Sequence, residues 1–220
     1  MKGYVTIFFV LVLFASFTPP GTQKVKKGFY MDSREIQVSD WLEYAWYLKR
    51  DSMDKEHFKY KAALPDSTLF NHSHFMFDNP PINTTYPIVG VTYEQVVAYC
   101  KWRSVIVNKK YHKKVVYRLP TPEEWIEFAN KNALQADHSK NSDSIERVSY
   151  FAKPFLGDYY IEKKIKKADY NLTDNVSEMT SEKGISMGNN FTDKEKGLAR
   201  HEYTKPEKWL GFRCACEVVN

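Results

Sequence analysis

The chain has 220 residues, of which 43% are hydrophobic and 27% charged, and this balance excludes a disordered polypeptide and a polytopic membrane protein. Its length predicts a single domain with one hydrophobic core. The 32 Lys and Arg against 27 Asp and Glu give a net charge of +5, a mild excess that does not by itself select a partner.

The first predicted element is an export signal. Lys2 precedes an apolar run from Ile7 to Phe17, and a Thr-Pro-Pro-Gly segment ends the run. This order is typical of a secretory signal peptide, so we predict one over residues 1–21, with cleavage between Pro19 and Thr22. Because the run is short for a bilayer-spanning helix, an uncleaved anchor is the alternative. We expect an exported protein, located in the periplasm, at the outer membrane or outside the cell, with no nucleic acid as partner.

Two helices are predicted in the first half of the domain, which we place at residues 22–220. Ser39 is expected to cap a helix that begins at Asp40, because apolar residues follow it at helical spacing. Thr92 and Gln95 form a capping-box pattern ahead of a second helix.

A third helix is predicted after Thr121. This threonine and Glu124 have capping-box spacing, and Trp125 faces the core. Arg118 leads the turn into this helix, where its planar guanidinium is expected to pair with carboxylates or carbonyls in a structural role.

Strands are predicted at Val115–Arg118, near Ile185–Phe191 and over Gly211–Val218. Early helices and late strands favour an α+β fold with much irregular structure.

The three cysteines predict one disulfide in an oxidising compartment. Cys214 and Cys216 are two residues apart in the last predicted strand, so both side chains leave the same face and cannot bridge each other without distortion. Cys100 is therefore the expected partner of one of them. Three buried free thiols are the alternative.

Four segments in this order form a recognisable pattern. They are residues 29–36 (FYMDSREI), 86–102 (YPIVGVTYEQVVAYCKW), 117–125 (YRLPTPEEW) and 211–214 (GFRC). Together they resemble the formylglycine-generating enzyme family, also called the sulfatase-modifying factor domain. The resemblance implies a single domain with that family's variant of the C-type lectin fold.

Finer features resemble one branch of this family. The early insertion around residues 64–67 and the Trp102-Arg103 pair are similar to its gliding-motility lipoproteins of Bacteroidota. The resemblance also implies a disulfide between Cys100 and Cys214, which leaves Cys216 as the spare thiol.

The same resemblance predicts that the protein is not an enzyme. In the enzymes of the family, a pair of cysteines before the final Gly-Phe-Arg binds copper and activates oxygen against a substrate cysteine. The corresponding stretch here, residues 188–211, contains no cysteine and is rich in charge. Since thiolates select Cu(I), we expect neither copper nor formylglycine formation.

A calcium site is implied by the segment at residues 171–179, which is similar to a metal-binding segment of the family. By that resemblance, calcium would be bound by the side chains of Asn171 and Glu178 and the carbonyls of Asp174 and Val176. Asp174 stands where the family has glycine, and two tryptophans of the segment are missing. The alternative is that these residues only close a polar turn.

Two lysine-rich runs, at residues 109–114 and 163–167, are compatible with an anionic partner or with solvated loops. The leading functional prediction is an exported, non-enzymatic scaffold subunit that binds an envelope protein in a gliding-motility or secretion-type assembly. Membrane association is expected to be indirect, or through an uncleaved signal segment. The second hypothesis is a lectin-like module for a glycan or peptide, and the third is an enzyme with altered chemistry, which would need a metal or a redox-active Cys216.

Overall fold

The computed structural model describes residues 17–51, 53, 55–69, 86–136, 172, 175–194 and 197–219. In chain order, these residues form β1 (Thr22–Lys26), β2 (Phe29–Asp32), α1 (Val38–Lys49), α2 (Phe58–Ala62), a 3₁₀ turn (Ser67–Leu69), α3 (Tyr93–Tyr111), β3 (Val115–Arg118), α4 (Pro122–Ala136), β4 (Ser177–Met179), β5 (Ile185–Met187), β6 (Arg200–Glu202), β7 (Leu210–Gly211) and β8 (Ala215–Val218).

The first sheet brings together the two ends of the described chain. Its strand order is β1-β2-β8-β3, and every neighbouring pair is antiparallel. Strand β8, the last in chain order, lies between β2 and β3, with Tyr30 opposite Cys216 on one side and Tyr117 opposite Cys216 on the other.

Successive side chains of these strands point to opposite faces of the first sheet, and both faces are buried. Tyr30, Tyr117 and Cys216 join one core cluster with residues of α1 and α3. Phe29, Met31 and Ala215 join a second cluster with Trp125 and Phe128 of α4. The first sheet is therefore a layer between α3 and α4.

The second sheet has the order β6-β5-β4-β7, and its β4–β7 pair is parallel. Residues 212–214 connect β7 in this sheet to β8 in the first. Two backbone hydrogen bonds, from Ile36 N to Phe212 O and from Asp32 N to Cys214 O, each 2.9 Å long, hold the connection against the β2–α1 segment.

The predicted α+β class and single domain are confirmed, and two of the three helix starts are correct. Thr92 Oγ1 accepts from Gln95 N at 3.2 Å, and Gln95 Oε1 accepts from Thr92 N at 2.7 Å.

The start predicted for the first helix is wrong. Helix α1 begins at Val38, because the Asp40 carboxylate accepts from Gln37 N at 2.9 Å and so caps the helix from inside its first turn.

The strand predictions are correct only in part. The strand at Val115–Arg118 is confirmed, whereas the one predicted over Gly211–Val218 is two strands in different sheets, β7 and β8. Strands β1, β2, β4 and β6 were not predicted, and two of them precede the first helix. Each has at most five residues, too few for alternation to identify it.

None of the helices in the described ranges has both the length and the apolar character that crossing a bilayer requires.

Gly188, directly after β5, tests how tightly α4 packs on the second sheet. Its φ is +88°, and an added Cβ would lie 2.9 Å from the Trp125 ring and 3.0 Å from Leu172 O. We expect Gly188→Ala to lower the free energy of unfolding by about 2 kcal/mol or more, through backbone strain and steric overlap. Urea denaturation measures this change.

Gly197→Ala is the matched control. An added Cβ there meets only Asn189 Oδ1, at 3.9 Å, so the free energy of unfolding should change by well under about 1 kcal/mol. Equal effects of the two substitutions would contradict the packing described here.

Candidate functional site

A fully buried ion pair lies where the two sheets meet. Arg213, in the connection between β7 and β8, binds Glu178 of β4 through two hydrogen bonds of 2.5 Å, from Nε to Oε2 and from Nη2 to Oε1. Both side chains are 0% exposed. Removing one partner from such a pair leaves an uncompensated buried charge, which typically costs about 3 to 5 kcal/mol.

The ion pair is extended by neighbours from two further elements, α4 and β2. Trp125 Nε1 of α4 donates to Glu178 Oε2 at 2.6 Å, and Arg213 Nη1 donates to Asp32 O at 3.1 Å. The Arg213 guanidinium also lies over the Phe128 ring, 5.3 Å from its centroid. Since these groups take most of the donors and acceptors of the pair, its geometry is fixed from several sides.

Glu35 is a second buried carboxyl beside the same arginine. Asn175 Nδ2 donates to Glu35 Oε1 at 2.8 Å. Burial, together with the charge of Glu178 and against the attraction of Arg213, raises the pKa of Glu35 to about 7.

Arg103 connects this cluster to α3. Its Nη1 and Nη2 atoms donate to the two carboxylate oxygens of Asp32 at 2.7 and 2.8 Å. Asp32 Oδ2 also accepts from Cys214 N at 2.9 Å. Two arginines thus face three buried carboxyl groups, so the charges of the cluster balance when one carboxyl, Glu35, is protonated.

The predicted cysteine pair is brought together in the core. Cys100 Sγ of α3 and Cys214 Sγ are 3.4 Å apart, with both groups as thiols. Cys216, the predicted spare cysteine, is 0% exposed. Burial raises the pKa of the Cys216 thiol to about 12 and that of Cys214 well above its usual value, so neither is a thiolate at neutral pH.

A pocket of about 310 Å³ opens beside this cluster, between the segment before β1 and helices α1 and α3. Two ion pairs lie in its wall, Asp32 with Arg103 and Asp40 with Arg34, the second at 2.7 Å. The rings of Tyr99, Trp102 and Tyr111 and the charged side chains of Glu43 and Lys110 complete the polar and aromatic lining.

Trp102 has an unusual place in this wall. Its ring packs against Tyr44 and Tyr99, with centroids 5.1 and 5.5 Å apart. Its Nε1–H is buried and has no hydrogen-bond acceptor among the described residues. Ion pairs together with aromatic rings suit the binding of a polar or peptide-like ligand.

The structural residues predicted around Arg118 lie together. Arg118 Nη1 and Nη2 donate to Glu124 at 2.7 Å each, Nε donates to Glu217 at 3.0 Å, and Nη1 reaches Leu119 O at 3.0 Å. Thr121 and Glu124 form the predicted capping box, with bonds of 2.9 and 3.2 Å. Trp125 is 0% exposed in the core, as predicted.

Only part of the predicted calcium site lies in the described residues. Asn171 and Asp174 are outside them, whereas Val176 is buried and Glu178 has both carboxylate oxygens bound to Arg213. A carboxylate that is already paired with a guanidinium does not fit a cation. Among the described residues, no group of three His, Cys, Asp or Glu side chains could hold a metal ion. The complete set of four calcium ligands stays a prediction.

Sequence reasoning missed the buried charged network of Asp32, Glu35, Arg103 and Arg213. The available signal was a charged residue inside a strongly apolar segment, as with Arg213 between Phe212 and Cys214. Such residues are almost never fully buried unless they are paired. That rule predicts a partner for Arg213, but the choice of Glu178, 35 residues away, depends on the tertiary fold.

A sheet layered between helices, joined to a second small sheet by a buried ion pair, defines an α+β domain. The sequence pattern of the family described as sulfatase-modifying factor enzyme 1-like domain matches residues 14–191. The chain belongs to this family. The earlier resemblance to it is therefore confirmed at the family level.

Two solved structures are similar to this one. The first is described as "Crystal Structure of CarF"; it has 15% sequence identity to this chain and a TM-score of 0.49. The alignment covers 87% of this chain and 87% of the CarF chain. The second is described as "Structure of PvdO from Pseudomonas aeruginosa"; it has 16% sequence identity to this chain and a TM-score of 0.45. The alignment covers 86% of this chain and 80% of the PvdO chain. No curated protein matches the sequence.

The raised pKa of Glu35 predicts that stability falls as the pH rises. Below its unfolded pKa, near 4.5, Glu35 is protonated in both the folded and the unfolded protein. Between pH 4.5 and about 7 only the folded protein keeps this proton, so the free energy of unfolding from this group decreases by up to about 1.4 kcal/mol per pH unit. Glu35→Gln should reduce this slope, because glutamine does not ionise.

Urea denaturation at several pH values between 4.5 and 8 measures the slope. Glu43→Gln, at an exposed carboxyl on the pocket rim, is the control and should leave the slope of the parent protein unchanged. If Glu35→Gln and the parent protein show the same pH dependence, the Glu35 assignment is wrong.

The position of Cys100 and Cys214 predicts one disulfide in protein made in an oxidising compartment. Alkylation after unfolding without reductant should then label Cys216 alone, and peptide mapping should find Cys100 linked to Cys214. Because the bond would join residues 114 apart, its reduction should lower the free energy of unfolding by about 3 to 5 kcal/mol.

Cys216→Ser is the control for this labelling and should abolish it in the oxidised protein. Labelling of all three cysteines in the parent protein would instead support the alternative of buried free thiols.

Proposed function

We propose that this protein is an exported, non-enzymatic member of its family that acts as a protein-binding scaffold subunit of the cell envelope. The assembly is of the gliding-motility or secretion type, in keeping with the resemblance to the gliding-motility branch. Export rests on the predicted signal peptide of residues 1–21.

The observation that carries the proposal is the burial of all three cysteines. Cys100, Cys214 and Cys216 are each exposed by 2% or less, in the core cluster between α3 and the first sheet. The oxidases that this family resembles need a cysteine pair that can reach copper and a substrate. Residues 188–211 supply no cysteine, and the buried thiols have raised pKa values at Cys214 and Cys216.

The pocket beside α3 supports a binding role. The Asp32–Arg103 ion pair in its wall is held within the fold, with Asp32 only 3% exposed and Arg103 14% exposed, so its position is fixed before a partner arrives. Preorganised charges reduce the entropy lost on binding. Glu43 and Lys110 are exposed at the same pocket and could pair with charges of the partner.

The second candidate is a glycan- or peptide-binding module, and the volume of the pocket favours it. A pocket of about 310 Å³ suits the binding of a small ligand or a short peptide segment. A flat surface of another protein would fit it less well. A scaffold predicts one stable protein partner, whereas the module predicts saturable binding of an isolated small ligand.

Site-specific photo-crosslinking in the native cell separates these candidates. A photoreactive amino acid at Glu43, on the pocket rim, should give one reproducible adduct with an envelope protein. The same amino acid at Glu202, exposed on β6 of the second sheet, is the control and should not give that adduct. Mass spectrometry of the purified adduct then identifies the partner.

An activity assay completes the test. With copper, oxygen and a cysteine-containing substrate peptide, we expect no formylglycine product. Formation of that aldehyde would contradict the non-enzymatic role. A protein that purifies alone as a monomer, with no adduct from Glu43, would contradict the scaffold role and favour the small-ligand module.

A further inference from the structure

A strongly basic surface forms at one end of the first sheet. It consists of the β1–β2 turn, the end of α3 and the residues that lead into β3, and we call it the basic face. Its members are exposed, and they are Lys27, Lys109, Lys110, His112, Lys113 and Lys114.

The sheet topology gathers these residues from distant parts of the sequence. Val218 N donates to Gly28 O at 2.9 Å, and Val219 N donates to Lys114 O at 2.8 Å. The β1–β2 turn and the start of β3 therefore flank the end of β8 at the same edge. With strands about 4.8 Å apart, Lys27 and Lys114 lie within roughly 15 Å of each other along this edge.

The positive charge of the basic face is not neutralised within the described residues. The nearby carboxylates Glu127 and Glu217 are already paired, with Lys26 and Arg118 respectively. Lys27, Lys109 and Lys114 form no ion pair in the described part of the chain. The five lysines of the face equal the whole formal net charge of +5, so the remaining charges of the chain balance.

Helix-end electrostatics account for only part of this pattern. Lys109 and Lys110 are in the last turn of α3, where cations interact favourably with the helix dipole. Lys27 and Lys114 belong to other elements and gain nothing from that dipole. Their position beside the helix end points to an external anionic partner.

The N-terminal apolar run joins the fold at this same face. The Phe17 ring lies 5.7 Å from the Tyr111 ring at the end of α3, and Lys113 Nζ lies 5.6 Å from the Phe17 ring centroid. Tyr30 Oη donates to Phe17 O at 3.4 Å. Because cleavage is predicted between Pro19 and Thr22, the mature protein would lack Phe17 and present this end of α3 with its lysines.

We propose that the basic face binds a membrane surface rich in anionic phospholipids. Lysines clustered on one surface are attracted to acidic headgroups, by roughly 1 kcal/mol for each lysine near the membrane. The contact orients the folded domain with the end of α3 towards the bilayer. Lys110 also lines the pocket proposed for the protein partner, whereas Lys27, Lys109 and Lys114 do not, so variants of these three lysines test the basic face apart from the pocket.

Vesicle co-sedimentation of the full chain tests the proposal. Binding is compared between phosphatidylcholine vesicles and vesicles of phosphatidylcholine with one quarter phosphatidylglycerol. Because the apolar N-terminal run is present in every sample, the difference between the two vesicle types isolates the electrostatic contribution. We expect much stronger binding to the anionic vesicles than to the neutral ones. This binding should be lost at an ionic strength of about 0.5 M, where the Debye length is only about 4 Å.

The variant Lys27→Gln/Lys109→Gln/Lys114→Gln removes three charges that make no internal ion pair. At roughly fivefold per lysine, the partition coefficient on anionic vesicles should fall by about a hundredfold at low salt, with binding to neutral vesicles unchanged. The matched control Lys55→Gln/Lys194→Gln/Lys208→Gln removes equal charge from exposed sites elsewhere and should bind like the parent. Thermal unfolding of both variants confirms that they fold.

Three results would overturn the proposal. Equal binding of the parent to neutral and anionic vesicles would show that the basic face does not recognise acidic lipid. Equal losses in the two triple variants would show that net charge acts without a defined surface. Binding to soluble polyphosphate but not to anionic vesicles would assign the face to a polyanion in place of a membrane.

Discussion

The buried pair of Arg213 and Glu178 is the interaction on which the other parts of the structure depend. Arg213 lies in the short connection between the two sheets, and Glu178 belongs to β4 of the second sheet. The same guanidinium reaches the backbone of Asp32 at the end of β2 and the Phe128 ring of α4. One side chain therefore fixes two sheets and a helix relative to each other.

Such a pair imposes conditions on its surroundings. Two ions without contact with water need further hydrogen bonds, and Trp125 supplies one of them to Glu178. A third buried carboxyl, Glu35, is best accommodated without charge, and this is the reason for its raised pKa. The network thus favours one arrangement of β2, β4 and α4.

Sequence reasoning succeeded where the determining contacts are local. The cap of α3 joins Thr92 to Gln95, and such i to i+3 patterns can be read directly from the sequence. Helix α1 was placed two residues late because its cap depends on Asp40 from inside the helix. The contacts around Arg213 could not be predicted, since they join residues that are distant in sequence and very short strands leave no periodic pattern.

The family resemblance contributed what local patterns could not. It paired Cys100 with Cys214, and the structure places their sulfur atoms 3.4 Å apart within one core cluster. It did not indicate the basic face, because lysines at sites distant in sequence are gathered only by the order of the strands in the first sheet.

That strand order also constrains when the domain can assemble. Strands β2 and β3 have no direct pairing with each other, and β8, the last strand in the described part of the chain, lies between them. The first sheet therefore cannot close until residues 215–218 have been synthesised. Until then α3 and α4 lack the sheet that lies between them, and the apolar residues of both core clusters stay exposed to solvent.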